Sequence, residues 1–131
     1  MSRHFLAPLL APASVSHALE VDDDGRLVAG TIECAFDSAA RKRGLLGRTG
    51  LDAGTALVIA PCNAVHTFRM QFAIDVIYAA RDGRIVKLRP ALAPSRVSAA
   101  LGAFATIEMA AGSIERARLR VGDRLVVRAA P

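Results

Sequence analysis

The chain is punctuated too often to build long helices. The stretch IDVIYAARDGRIVKLRP shows the pattern best: two β-compatible runs flank Asp82-Gly83, and Asp-Gly supplies the positive-φ residues of a tight hairpin turn. Residues 74–89 therefore predict a hairpin. A second hairpin is expected where VSHALEV and RLVAG flank DDDG, with Val15, His17, Leu19 and Val21 alternating with small or polar residues. Its second strand is expected to continue through GTIECAF. TALVIA, FATIEMA and DRLVVRA read as further strands, and ALAPSRVSAALGA, with Pro90 and Pro94, as a loop. Helix is confined to two short segments. Asp37 is placed to cap SAARKRGLLGR, which Gly44 and Gly47 limit to about two turns, and Ser113 is the expected cap of GSIERARLRVGD. Short strands separated by frequent turns, without alternating long helices, indicate a mainly β sandwich or barrel with about two short α-helices. A doubly wound α/β sheet is excluded.

At 131 residues the chain fits one domain: an N-terminal arm over residues 1–13 and a β-rich body over 14–131. Its 53% apolar content and 22% charged content are those of an ordered globule. The formal charge is +5, carried by 15 Arg and 2 Lys spread along the chain. Their nearest approach to a cluster is Arg41, Lys42, Arg43 and Arg48. Nucleic-acid binding would call for a concentrated basic face with interleaved stacking aromatics, and neither is present. An anionic small molecule or a protein partner remains compatible with the charge. Two cysteines, Cys34 and Cys62, allow at most one disulfide, and two free thiols in a reducing compartment are expected. The start, with Arg3 ahead of FLAPLLAPA, resembles a short secretory signal, but Pro8 and Pro12 interrupt its apolar run. A cytoplasmic location is expected, with export through a short atypical signal as the alternative. No run is long and apolar enough to span a bilayer.

The chemistry-bearing residues concentrate in CNAVHTFRMQF, residues 62–72. Cys62 and His66 are four apart, but a zinc site needs three or four ligands, so neither metal nor cofactor is expected. The glycines at 44, 47, 50 and 54 follow the first helix, the wrong order for a phosphate cradle. A thiol nucleophile would require His66 as base and a third group such as Asp75 to orient it. If the segment runs as one strand, His66, Phe68, Met70, Phe72, Ile74, Val76 and Tyr78 share a face, with Thr67, Arg69, Gln71 and Asp75 opposite. His66 and Met70 would then belong to an apolar or pocket wall, and Asp75, between Ile74 and Val76, would need hydrogen-bond partners if buried.

Three ordered motifs resemble domain of unknown function family 192, also called uncharacterised protein family 0127: RKRGLLGRTGLDAGTALVI, then PCNAVHTFRMQFAIDVIYAARDGRIVKLRP, then IEMAAGSIERARLRVGDRL. The resemblance covers roughly residues 28–128. Arg48, His66, Met70 and Asp75 match the family pattern. Ala73 stands where the family commonly has proline, and Tyr78-Ala79-Ala80 where it usually has Phe-Leu-Asp. The resemblance implies a small, mainly β domain of jelly-roll-like arrangement with short helices, and it implies no activity. Together these readings lead to a non-enzymatic ligand- or protein-binding accessory domain. Its expected pocket is bordered by His66, Met70 and Asp75, with Arg48 or Arg69 for an anionic group. The alternatives are an enzyme using Cys62, His66 and Asp75, and a purely architectural motif.

Overall fold

The computed structural model describes residues 4–10 and 16–130, so part of the expected N-terminal arm and signal-like segment lies outside the described residues. Among the described residues, ten strands and two short helices follow a 3-10 turn at Ala7–Leu10. The strands are β1 (His17–Val21), β2 (Leu27–Ala29), β3 (Thr31–Ala35), β4 (Thr55–Ile59), β5 (Ala64–His66), β6 (Ile74–Ala79), β7 (Ile85–Leu92), β8 (Val97–Ala99), β9 (Ala105–Ala110) and β10 (Leu125–Ala129); the helices are α1 (Ser38–Arg43) and α2 (Ser113–Arg116). The protein is mainly β, as its turn pattern predicts.

Turn chemistry produces the hairpins. The Asp24 side chain accepts from the Arg26 N–H (3.0 Å) and Gly25 adopts positive φ, folding β2 back on β1. At the β6–β7 turn Asp82 accepts from the Arg84 N–H (3.0 Å). Gly83, at φ 90°, lies so close to the Leu125 carbonyl that a Cβ would collide with backbone. Asp37 caps α1 through the Ala40 N–H (2.8 Å), and Gly44 ends the helix at φ 47°.

Strands β10, β1 and β2 form a three-stranded sheet, and β3, β4, β9, β6 and β7 form a five-stranded one. All their pairings are antiparallel except β3 with β4, whose parallel pairing makes residues 36–54 a crossover containing α1. A separate ribbon pairs β5 with β8. The five-stranded sheet is the middle layer. One face packs its Val58, Ile77, Ile107 and Met109 against Leu19 and Leu125 of the smaller sheet. Leu6, from the N-terminal segment, is wholly buried in the same core. The other face presents Leu57, Ile59, Ile74, Val76 and Tyr78 to Leu45 after α1, Met70, and Ala100 after the ribbon. Burial of each such aliphatic side chain contributes about 1.5–3 kcal/mol. No closed barrel forms among the described residues; the layers are those of a sandwich.

Four local expectations are corrected. The second strand of the first hairpin does not continue through GTIECAF: β2 ends at Ala29, and β3 starts at Thr31 and joins the five-stranded sheet. The run from His66 to Tyr78 is not one strand: it ends at His66 and resumes at Ile74. Thr67 causes the break. Its N–H donates to the Arg96 carbonyl (2.8 Å), and its hydroxyl donates to the Ala93 carbonyl (2.6 Å) and accepts from the Arg96 N–H (2.8 Å). The stretch after Pro90 is not all loop, because β7 runs through to Leu92 and β8 follows. Ser113 does not cap α2. Its hydroxyl donates backwards to the Ala110 carbonyl (2.6 Å), and the Asp75 carboxyl accepts the helix's first N–H groups instead.

Candidate functional site

Strand alternation places one carboxyl where an apolar side chain would ordinarily go. In β9, Ile107 and Met109 point into the first core, so Glu108 points to the other face. Its cross-strand neighbours Leu57 and Val76 belong to the second core. Glu108 is only 4% exposed. Burial pushes its carboxyl up to about 7 from the ordinary 4.5, with the Arg48 guanidinium pulling the other way. Among the described residues no hydrogen bond reaches this carboxyl, although a buried carboxyl ordinarily has partners.

Glu108 instead faces a cavity of about 230 Å³ between the middle sheet, the end of α1 and β5. Leu45, Ile59 and Met70 form apolar walls, Cys62 and His66 line one side, and Arg41, Lys42 and Arg43 line the α1 side. The carboxyl reaches the end of α1: a Cβ built on Gly44 would lie 3.9 Å from Glu108 Oε1. Beside the cavity, Arg48 makes a two-pronged ion pair with Glu33 (2.7 and 3.3 Å). That pair lowers the Glu33 carboxyl and raises the Arg48 guanidinium relative to their ordinary values.

The residues singled out from sequence divide between the two faces of the sheet. Cys62, His66 and Met70 line the cavity. Arg48 acts on it through its charge. Asp75 lies on the opposite face, opposite Met109 of the first core. It is buried, and its oxygens accept from the Ala91 (2.8 Å), Gly112 (3.2 Å) and Ile114 (2.8 Å) N–H groups. Arg69 is exposed, at φ 66°, in the segment between β5 and β6. Cys62, His66 and Asp75 do not come together: the Cys62 thiol donates to the Ala64 carbonyl (3.1 Å), and the exposed His66 ring stacks on Phe68. Cys34 and Cys62 are both free; Cys34 is exposed, and partial desolvation of its thiol by the surrounding chain raises it. No group of three or more His, Cys, Asp or Glu side chains among the described residues is placed to hold a metal ion.

Glu108 is the site residue that sequence reasoning missed. Its signal was a carboxylate between Ile107 and Met109, the same anomaly that drew attention to Asp75 between Ile74 and Val76.

Together, fold and cavity define a small β-sandwich domain with an acidic floor beneath a basic rim. The chain belongs to DUF192, described as "Uncharacterized ACR, COG1430", whose pattern matches residues 19–127. No curated protein sequence matches it. Two solved structures are similar in fold. A protein of unknown function from Novosphingobium aromaticivorans DSM 12444 superposes with a TM-score of 0.74 at 22% identity, covering 88% of this chain and 89% of that one. A protein from Sinorhizobium meliloti 1021, described as a candidate transcription regulator, gives a TM-score of 0.72 at 19% identity over 88% and 96% of the two chains. At these identities the likeness is one of fold. No helix among the described residues is long and apolar enough to cross a membrane.

Proposed function

We propose that this domain is a non-enzymatic binding module whose small-molecule ligand occupies the cavity over Glu108. The observation that carries this reading is the Glu108 carboxyl itself, buried, unpartnered among the described residues and facing open volume. A carboxyl set among apolar side chains and open to the cavity offers a ligand a directed hydrogen bond. The apolar walls with a few convergent polar groups suit a small-molecule site. In this reading His66 and Met70, which line the cavity, border the ligand, and Asp75 holds the frame.

Fragment screening by ¹⁵N–¹H correlation spectra tests the reading. Binding fragments should shift amides around the cavity, those of Gly44, Cys62 and Glu108 among them. Ala64→Trp, at an exposed lining position, should abolish those shifts. Fragments that bind only elsewhere, or shifts that persist in the blocked variant, would refute the cavity as the site. A protein partner is the second reading, favoured by exposed Leu46, Phe68 and Val97 beside His66.

A further inference from the structure

The cavity's surroundings narrow the class of ligand, an inference that rests on the binding reading above. We propose that the cavity takes a small organic anion, its carboxylate or phosphate held by Lys42 and Arg43 and an uncharged oxygen seated on Glu108.

The rim supplies the first part. Of the cations nearest the cavity, Arg41 is tied down by its bonds to the Phe36 carbonyl (2.7 Å) and the Ser38 hydroxyl (3.5 Å), and Arg48 by Glu33. Lys42 and Arg43 also line the cavity and are exposed, and among the described residues neither forms an ion pair or a side-chain hydrogen bond. Two uncommitted cations at the entrance, on a chain of net charge +5, attract an anion and repel a cation on approach.

The floor supplies the second part. Desolvation favours the uncharged form of Glu108, which offers one O–H donor and one carbonyl acceptor. A ligand hydroxyl or carbonyl satisfies such a group without creating a buried charge. A second ligand carboxylate there would have to be buried as an ion away from the rim cations. Between rim and floor, Leu45, Ile59 and Met70 offer an apolar passage that suits a short hydrocarbon stem. The cavity, about 230 Å³, has room for a ligand of a few carbons.

A matched set of four-carbon probes tests the class. The ¹⁵N-labelled full chain is titrated with 3-hydroxybutyrate, butyrate, 1,3-butanediol and 4-amino-2-butanol, and with glycerol 3-phosphate as the phosphate arm. 3-Hydroxybutyrate or glycerol 3-phosphate should shift the amides of Gly44, Cys62 and Glu108 and bind about ten-fold or more tightly than the diol or the amino alcohol. Whichever of the two binds better identifies the anionic group. Butyrate should be weaker than 3-hydroxybutyrate, because it leaves Glu108 unpaired. The double substitution Lys42→Ala, Arg43→Ala alters only exposed side chains, so its spectrum should otherwise match the parent, and it should weaken anion binding about ten-fold. Glu108→Gln, which keeps a donor and an acceptor, should stay within about two-fold of the parent, whereas Glu108→Leu should not. Preference for the amino alcohol, anion affinity unchanged in the double variant, or no cavity response to any of these probes would overturn the proposal. The fragment shifts blocked by Ala64→Trp judge separately whether the cavity binds anything, so the two failures are distinguishable.

Discussion

Replacing Glu108 with glutamine should reshape the pH dependence of stability. In the folded protein burial holds the carboxyl protonated up to about pH 7, while the unfolded chain releases the proton near 4.5. Between those values the folded state binds more protons than the unfolded state, so stability falls as pH rises. The penalty is absent below 4.5 and complete above about 7. At roughly 1.4 kcal/mol per pH unit the interval amounts to about 3 kcal/mol. Glutamine has nearly the same shape and does not titrate. Glu108→Gln should therefore gain stability over the parent steadily from pH 4.5 to 7, reaching about 3 kcal/mol, and the gain should level off above. Urea denaturation of both proteins at half-unit pH steps, followed by circular dichroism, measures it. Taking the difference cancels every other titrating group, including Asp24, Glu33 and Asp82. Those carboxyls are held below their ordinary values and so act in the opposite sense at lower pH. A difference that stays flat from pH 4.5 to 7 would mean that Glu108 ionises as an exposed carboxyl does, and the reasoning about its burial would be wrong.

Three further outcomes are expected from the same geometry. Arg48→Gln removes the cation that favours ionised Glu108, so the Glu108 side-chain ¹³C resonance should titrate at a higher pH than in the parent; an unchanged midpoint would show that Arg48 does not act there. Asp75→Asn offers one acceptor oxygen where two oxygens now serve three backbone N–H groups, and should lower stability by about 2–4 kcal/mol in denaturant melts while leaving probe affinity at the cavity unchanged in the folded fraction. Gly83→Ala drives a Cβ into the Leu125 carbonyl at φ 90° and should cost more than about 2 kcal/mol by the same melts; a loss below half a kcal/mol would show that the turn can relax.

What was legible in the sequence was decided within a few residues. Asp82-Gly83 and Asp24-Gly25 carry their own turn geometry, and Asp37 caps the helix that begins beside it. What was illegible was decided by distant partners. Thr67 ends β5 because bonds to Ala93 and Arg96 fix it, and those residues lie 26 and 29 positions away. Asp75 takes over the capping of α2 from 37 and 39 positions away, which local reading assigned to Ser113. The same carboxyl explains β7, where Arg89 and Leu92 pair with Val76 and Ile74. Pro90 and Ala91 bulge outward between them, and the Ala91 N–H turns to Asp75. Strand periodicity identified His66 and Met70 as wall residues and put Asp75 on the face opposite them. It gave no sign that Glu108 would sit beneath them. That depends on the order of strands in the middle sheet.

The crossover between β3 and β4 gives the domain a division of labour. Residues 36–54 lie outside the sheet ladders and carry Arg41, Lys42, Arg43 and Leu45, whereas Glu108 sits on β9, hydrogen-bonded on both sides by β4 and β6. The floor is thus part of the load frame and the rim is an interchangeable fitting. On the proposed binding reading, substitutions of the exposed Lys42 and Arg43 alter what is admitted without touching a sheet hydrogen bond, while Glu108 stays fixed in β9. For engineering, the crossover is accordingly the segment to randomise and β9 the strand to leave alone.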